Sequence, residues 1–346
     1  MLANLENSTQ GVDIKRRTPL VNDYFRIKLN CKSFCDSEKE RQGVKPVDFS
    51  NNQEVIDSQA KEFDMPFWAF IALAKKDALK NYTKVGIVQL KACNLFCPWC
   101  YVDDSNKNAK QENGGAFFSI DKIVDMFESE RTNQPLNMMR FSGGEPSLIA
   151  DHAWLGLLRE LEKRKLDKEV YVQGDTNLTT GHFLEYLDYE GEVEINLLEK
   201  IANYRNFGLL CSFKSTDPQN FCESTGTKHP ELHEEQFYTM RKIVKAGIDA
   251  YPFIYDPNPE TLEAFMARGA KEFGDAFCLK TWILPLKLYG PEKQRLEKKG
   301  VSGEQYQKKL DERLKASEEM MQKIIWNRFH INYKAIPRTG LKLEAN

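Results

Sequence analysis

The chain has 346 residues, of which 51 are acidic and 49 basic, for a formal charge of −2. Such a balance offers no global attraction to polyanions, so nucleic acid is disfavoured as a partner. The strongest apolar stretch, Phe67 to Ala74, falls well short of the roughly 18 residues a spanning helix needs, so no membrane association is expected. The opening MLANLENSTQ lacks the basic-then-apolar layout of a secretory signal, and a cytoplasmic location is the expectation.

The first sixty residues mix turn formers and charges and read as an extended arm or cap with short elements. From Pro66 to Leu79, PFWAFIALAKKDAL has a helical pattern. Val85 to Leu90 follows as a strand whose continuous apolar character suits a parallel sheet covered on both faces. Asp121 to Glu130 reads as a helix with Ser119 as its N-cap, and Leu136 to Phe141 as a short strand. His152 to Lys165 is amphipathic, and Val170 to Gln173 is a further strand with Asp175 and Asn177 at its end.

The alternation continues with a helix over Ile195 to Tyr204, a strand over Gly208 to Phe213 and a helix over Glu234 to Ala246 ended by Gly247. Tyr251 to Tyr255 reads as a strand, Leu262 to Phe273 as a helix and Ala276 to Leu286 as a long apolar strand. Six strand segments alternating with helices predict a parallel α/β sheet; periodicity alone leaves an open doubly wound sheet and a partial barrel both standing. Ser302 to Phe329 is a long charged helix, and Ile331 to Leu343 returns as a strand or extended tail.

Eight cysteines occur, at 31, 35, 93, 97, 100, 211, 222 and 278, and a chain this long needs no disulfide staples. Cys211 and Cys278 sit in apolar segments, where cysteine acts as a small buried hydrophobe. Cys93, Cys97 and Cys100 instead cluster in Lys91-Ala-Cys93-Asn-Leu-Phe-Cys97-Pro-Trp-Cys100-Tyr101, a CxxxCxxC spacing. Thiolates this close on one loop suit an iron–sulfur cluster or zinc. No fourth cysteine or histidine follows nearby, which favours a cluster with one iron lacking a protein ligand.

This spacing, with Trp99 before the last cysteine, resembles the signature of the radical S-adenosylmethionine (SAM) superfamily. Ser142-Gly143-Gly144-Glu145-Pro146, at the end of the next strand, resembles the family's segment for the amino group of SAM. Glycines allow close backbone approach, and a carboxylate accepts bonds from an ammonium. The resemblance runs from Thr83 to Tyr289 and implies a partial (β/α)6 TIM-like barrel, with residues 1–82 as an N-terminal extension or cap, 83–290 as the core and 291–346 as a C-terminal helical extension.

The same resemblance implies a 4Fe-4S cluster ligated by Cys93, Cys97 and Cys100, with SAM as the second cofactor. Gly143, Gly144 and Glu145 would take the methionine end, and Asp175, Asn177, Ser212 and Lys214 would supply polar contacts to SAM. Trp99 would pack near cluster or adenine, and Ile283, Leu284 and Pro285 would border the adenine. Lys214 and Tyr101 are the residues expected nearest the chemistry; Asp103, Asp104, Lys287 and Tyr289 are further substrate-side positions. An external electron donor such as flavodoxin or ferredoxin would reduce the cluster, and the resulting 5′-deoxyadenosyl radical would abstract hydrogen from a small molecule or a protein residue.

Ser212-Phe213-Lys214, with Ser224-Thr225-Gly226 beyond it, resembles the fourth-strand motif of activating-enzyme-like members, but SFK stands where DLK is usual, without the acidic residue. A glycyl-radical activating enzyme is therefore one alternative. An RNA-modifying member and a non-catalytic iron–sulfur interaction or electron-transfer protein are the others. The histidines 152, 182, 229, 233 and 330 have no mutual spacing that demands a metal.

Overall fold

Apolar runs bounded by turn signals form the strands, and the polar motifs sit just beyond their carboxyl ends. The structure, a computed structural model, describes residues 20–21, 24–29, 84–90, 93–100, 102, 116–132, 136–286, 288, 290–336 and 341–345. It comprises two units: residues 1–94, 105–176 and 182–209, and residues 95–104, 177–181 and 210–346.

In the first unit, β1 (Leu20–Val21) pairs antiparallel with β2 (Tyr24–Leu29), and β2 pairs antiparallel with β3 (Lys84–Leu90), in a register that sets Ile27 opposite Leu90. A short β4 (Ala116–Phe118) lies antiparallel to β2 and leads into α1 (Ile120–Arg131). β5 (Leu136–Ser142) runs parallel to β3, and β6 (Tyr171–Thr176) parallel to β5. Between them a 3-10 turn at Pro146–Ile149 and a π turn at Asp151–Gly156 feed α2 (Leu157–Lys163). Two helices follow β6: α3 (Gly181–Tyr189) and α4 (Leu197–Ala202).

β7 (Phe207–Lys214) begins in the first unit and continues into the second. After it come α5 (Pro218–Thr225), α6 (Leu232–Lys245), β8 (Ala250–Tyr255), α7 (Leu262–Phe273), α8 (Asp275–Lys280) and β9 (Trp282–Leu284), with β9 parallel to β8. The chain then forms α9 (Gly290–Lys298) and α10 (Gly303–Phe329). The fold is α/β; its strands β3, β5, β6, β7, β8 and β9 lie side by side in chain order in a mostly parallel sheet. That order is the one expected of a partial (β/α)6 barrel.

The long strand expected over Ala276 to Leu286 is corrected: Asp275–Lys280 is helical and only Trp282–Leu284 is extended. A short buried apolar run carries no period that separates helix from strand. Here Gly274, at φ +76°, breaks the chain after α7, and Phe277 turns back to stack near Phe273, 5.4 Å between ring centroids. The stretch after Ile331 forms a 3-10 turn at Tyr333–Ala335 and no strand among its described residues. The helix expected over Pro66 to Leu79 and the cysteines at 31 and 35 lie outside the described residues.

Packing accounts for the strand sequences. Every residue of β7 is buried, which removes the polar alternation a half-exposed strand would show. In the first unit Trp154 packs against Phe207 at 5.8 Å and covers Gly174, where an added Cβ would come within 2.7 Å of the indole nitrogen. In the second, Phe213 meets Phe237 at 5.1 Å, Phe265 at 5.2 Å and Phe277 at 6.0 Å. The helix at Asp275–Lys280 ends on Lys280, a buried ammonium that bonds the Asp249 carboxylate at 2.7 Å and the Leu341 carbonyl at 2.9 Å. Nearby, the Glu344 amide donates to the Phe273 carbonyl.

His233 is buried against Phe221, Phe237 and Phe265 as a packing residue. Burial holds its imidazole below the ordinary histidine value. Below about pH 6.5 the unfolded chain therefore takes up a proton that the folded ring refuses, and stability falls with acidification. Urea midpoints measured at neutral pH and near pH 5.5 should differ less in His233→Leu than in the parent; an unchanged difference would remove His233 as a contributor.

Candidate functional site

In the first unit the site residues gather at the ends of β5 and β6. Gly143 takes φ +83°, and a Cβ there would sit 2.6 Å from the Cβ of Gln89 on β3, so only glycine fits the turn. Glu145 is buried and caps the Pro146–Ile149 turn, accepting from the Ser147 amide at 3.2 Å and from the Ser147 hydroxyl. Gly144 between them is half-buried. Asp175 does not stand alone: the Arg140 guanidinium donates through Nε at 3.1 and 3.0 Å and through Nη2 at 2.8 Å, and Gln173 Nε2 donates at 3.0 Å. Cys93 also belongs to this unit and is half-buried.

In the second unit the cysteine loop turns tightly, the Cys100 amide donating to the Cys97 carbonyl at 3.1 Å. Cys97 is buried and Cys100 half-buried. The Phe96 amide donates to the Thr225 carbonyl at 3.0 Å, at the end of α5 where Gly226 adopts φ +68°. A Cβ on Gly226 would meet the Phe96 carbonyl at 2.9 Å, so the Thr225-Gly226 pair supports the loop. Arg295 of α9 reaches the same loop from the other direction and donates to the carbonyls of Pro98, Cys100 and Val102.

Trp99 stacks on Tyr255 with ring centroids 5.2 Å apart and planes 10° from parallel. The Lys214 ammonium lies 3.9 Å from the Tyr255 ring centre and 5.1 Å from that of Trp99, the geometry of a cation–π pair. Lys214 is only 9% exposed, and among the described residues its ammonium meets no carboxylate or carbonyl. The indole nitrogen of Trp99 likewise has no acceptor among the described residues. Ser212 shares Lys214's side of β7 by strand alternation, while Phe213 points to the helical side and into the aromatic core. Ser212 thus holds the position where DLK would carry its acid.

Sequence reasoning missed Gln236. Fully buried on α6, its amide donates to the carbonyls of Asn177 at 2.7 Å and Ser212 at 3.0 Å and accepts from the Lys214 amide at 3.1 Å. Asn177 itself accepts from the amide and hydroxyl of Thr179 at 3.0 and 2.6 Å, an Asx turn that ends β6. A second such knot joins Asp256, at φ +48° just after β8, to Ser224 at 2.7 Å and to Arg313 of α10 at 2.8 Å. Nothing in the spacing of a lone glutamine or arginine announces these bridges.

Ile283 is buried, and its amide donates to the Tyr333 hydroxyl at 2.9 Å, while Pro285 is exposed. Tyr101, Asp103, Asp104, Lys287 and Tyr289 lie outside the described residues. Among the described residues no three His, Cys, Asp or Glu side chains are gathered to hold a metal ion, and no helix is long and apolar enough to cross a membrane. Among the other described cysteines, burial pushes the Cys278 thiol up to about 11, Cys211 is wholly buried and Cys222 is half-buried.

Residues 87–268 match the model of the radical SAM superfamily, which spans the cysteine loop, the glycine turn and the fourth-strand motif. The chain belongs to that superfamily. No curated protein matches it. Among solved structures it is similar to Streptococcus suis SuiB bound to S-adenosylmethionine, at 12% identity and a TM-score of 0.37, covering 81% of this chain and 58% of that one. It is also similar to a cysteine-to-serine mutant of spore photoproduct lyase, at 11% identity and a TM-score of 0.37, covering 75% and 82% of the two chains. The chain thus spans less than two thirds of the SuiB chain.

The Arg140–Asp175 pair is nearly withdrawn from water, with side chains 8% and 17% exposed. Replacing one partner leaves a desolvated charge, so Arg140→Met should cost about 3 kcal/mol in chemical denaturation. Replacing both residues by apolar side chains should cost less, and equal losses would show that the pair's charge is not the cause.

Proposed function

We propose that this chain is a radical SAM enzyme that reductively cleaves SAM and abstracts hydrogen from its substrate. The observation that carries the reading is the order of motifs within residues 87–268: the CxxxCxxC loop follows β3, the Gly143-Gly144-Glu145 turn ends β5, and Lys214 ends β7. The donor set also fits. Three cysteine sulfurs on one loop are soft ligands of the kind that hold iron–sulfur clusters, and three ligands on a four-iron cluster would leave one iron without a protein ligand. Cys93, Cys97 and Cys100 would hold the 4Fe-4S cluster, which when reduced supplies the electron that breaks the sulfonium bond and yields methionine and a 5′-deoxyadenosyl radical.

The chain's own residues bind, orient and exclude water. The Gly143 turn packs against Gln89 and leads into Glu145, which, held by Ser147, would offer a fixed carboxylate to an ammonium. Lys214, with only aromatic faces as partners among the described residues, offers its charge to a carboxylate. Its burial strengthens that attraction, because little water competes. Trp99 and Tyr255 present a flat apolar stack suited to a base or to shielding a reactive radical from solvent. An external donor such as flavodoxin or ferredoxin supplies the electron, and a small molecule or a protein residue receives the radical's attack.

Anaerobically reconstituted protein, reduced with dithionite in the presence of SAM, should release methionine and 5′-deoxyadenosine. Cys97→Ala should lose the cluster's absorbance and both products. An intact cluster with bound SAM and no cleavage would overturn the enzymatic reading in favour of an electron-transfer or interaction protein.

A further inference from the structure

We propose that Arg295 is a positioning residue for the cysteine loop and that its charge raises the reduction potential of the cluster the loop holds. The inference rests on the proposed cluster and adds to it a residue beyond the matched segment, which stops at residue 268. Arg295 lies on α9, in a segment whose sequence gave no expectation of a site.

One guanidinium meets three carbonyls of the same short loop. Nε donates to Pro98 at 3.4 Å, Nη1 to Val102 at 3.0 Å, and Nη2 to Cys100. A loop that wraps its side chains around a compact centre turns its carbonyls the other way, where they need donors. The planar fork of arginine supplies several in a fixed geometry, which the rotating ammonium of lysine cannot copy. The Phe96–Thr225 bond holds the loop before Cys97, and Arg295 holds it from Pro98 to Val102, so the segment carrying two of the thiols is fixed at both ends.

The guanidinium carries a positive charge and is bonded to the carbonyl of a proposed ligand residue. Reduction adds one negative charge to the cluster, and a cation bonded to the backbone of the ligand loop stabilises the reduced form more than the oxidised one. The sign is therefore upward: Arg295 makes the cluster easier to reduce by its external donor.

The test compares the parent protein with Arg295→Met and Arg295→Lys. In cluster-free protein, alkylation of Cys97 and Cys100 by iodoacetamide, read by mass spectrometry, should be about tenfold faster in Arg295→Met, the size expected for lost charge-assisted hydrogen bonds. Cys211, fully buried, serves as the folding control and should stay unlabelled. If Cys211 reacts in Arg295→Met, the Lys variant decides, with loop alkylation faster than in the parent while Cys211 stays protected. In iron-loaded protein, an anaerobic redox titration followed by electron paramagnetic resonance should show the one-electron midpoint of Arg295→Met lowered by about 59 mV, a tenfold change in the oxidised-to-reduced ratio. Arg295→Lys should keep a midpoint near that of the parent, because it keeps the charge.

Unchanged alkylation in both variants overturns the positioning role, and an unchanged midpoint in Arg295→Met overturns the electrostatic one. A parent protein that takes up no iron overturns the cluster reading itself, while the alkylation comparison still judges Arg295.

Discussion

Polar groups at the ends of buried strands must find partners without water, and much of the described structure answers that demand. β7 is the clearest case, since all its residues are buried and its carboxyl end carries Ser212 and Lys214. Gln236 satisfies three backbone groups there with one amide. Each such group left alone would cost on the order of 1–3 kcal/mol, so this buried glutamine is a structural necessity with no reacting atom of its own. Arg313 and Arg295 repeat the solution from the C-terminal helices, one for a carboxylate after β8 and the other for loop carbonyls.

The same demand sorts the polar residues named from sequence. Asp175 is engaged by Arg140, Asn177 closes its own turn, and Glu145 caps a short helix. Each is held in one orientation by a neighbour, as a preorganised site requires. Lys214 differs, because among the described residues its ammonium rests on aromatic faces. That contrast sets Lys214, at the end of β7, apart from the polar residues that guanidinium, amide or hydroxyl groups hold in place.

The fold was legible where period and length agree. Leu262 to Phe273 is long enough for its helical repeat to be plain, and the structure reproduces it residue for residue. The six strands were found because parallel strands buried on both faces read as apolar runs, whereas the end of the last one was misjudged for the same reason: α8 and β9 share one apolar run. The cysteine loop and the glycine turn were visible because their chemistry needs fixed residue types at short spacing. Gln236, Arg295 and Arg313 were not, since each meets its partners across 22 residues or more, and a long-range hydrogen bond leaves no local pattern.

The contact between Lys280 and the carbonyl of Leu341, together with that of the Glu344 amide with the Phe273 carbonyl, is made to main chain on the tail's side. Main-chain groups are the same whatever the residue. Drift in the identity of residues near 341 is therefore cheap for these bonds, whereas a displaced Leu341 carbonyl costs a buried ammonium one of its acceptors. Among relatives of this chain, residues 341–344 should vary freely in letter as long as the backbone there keeps its path.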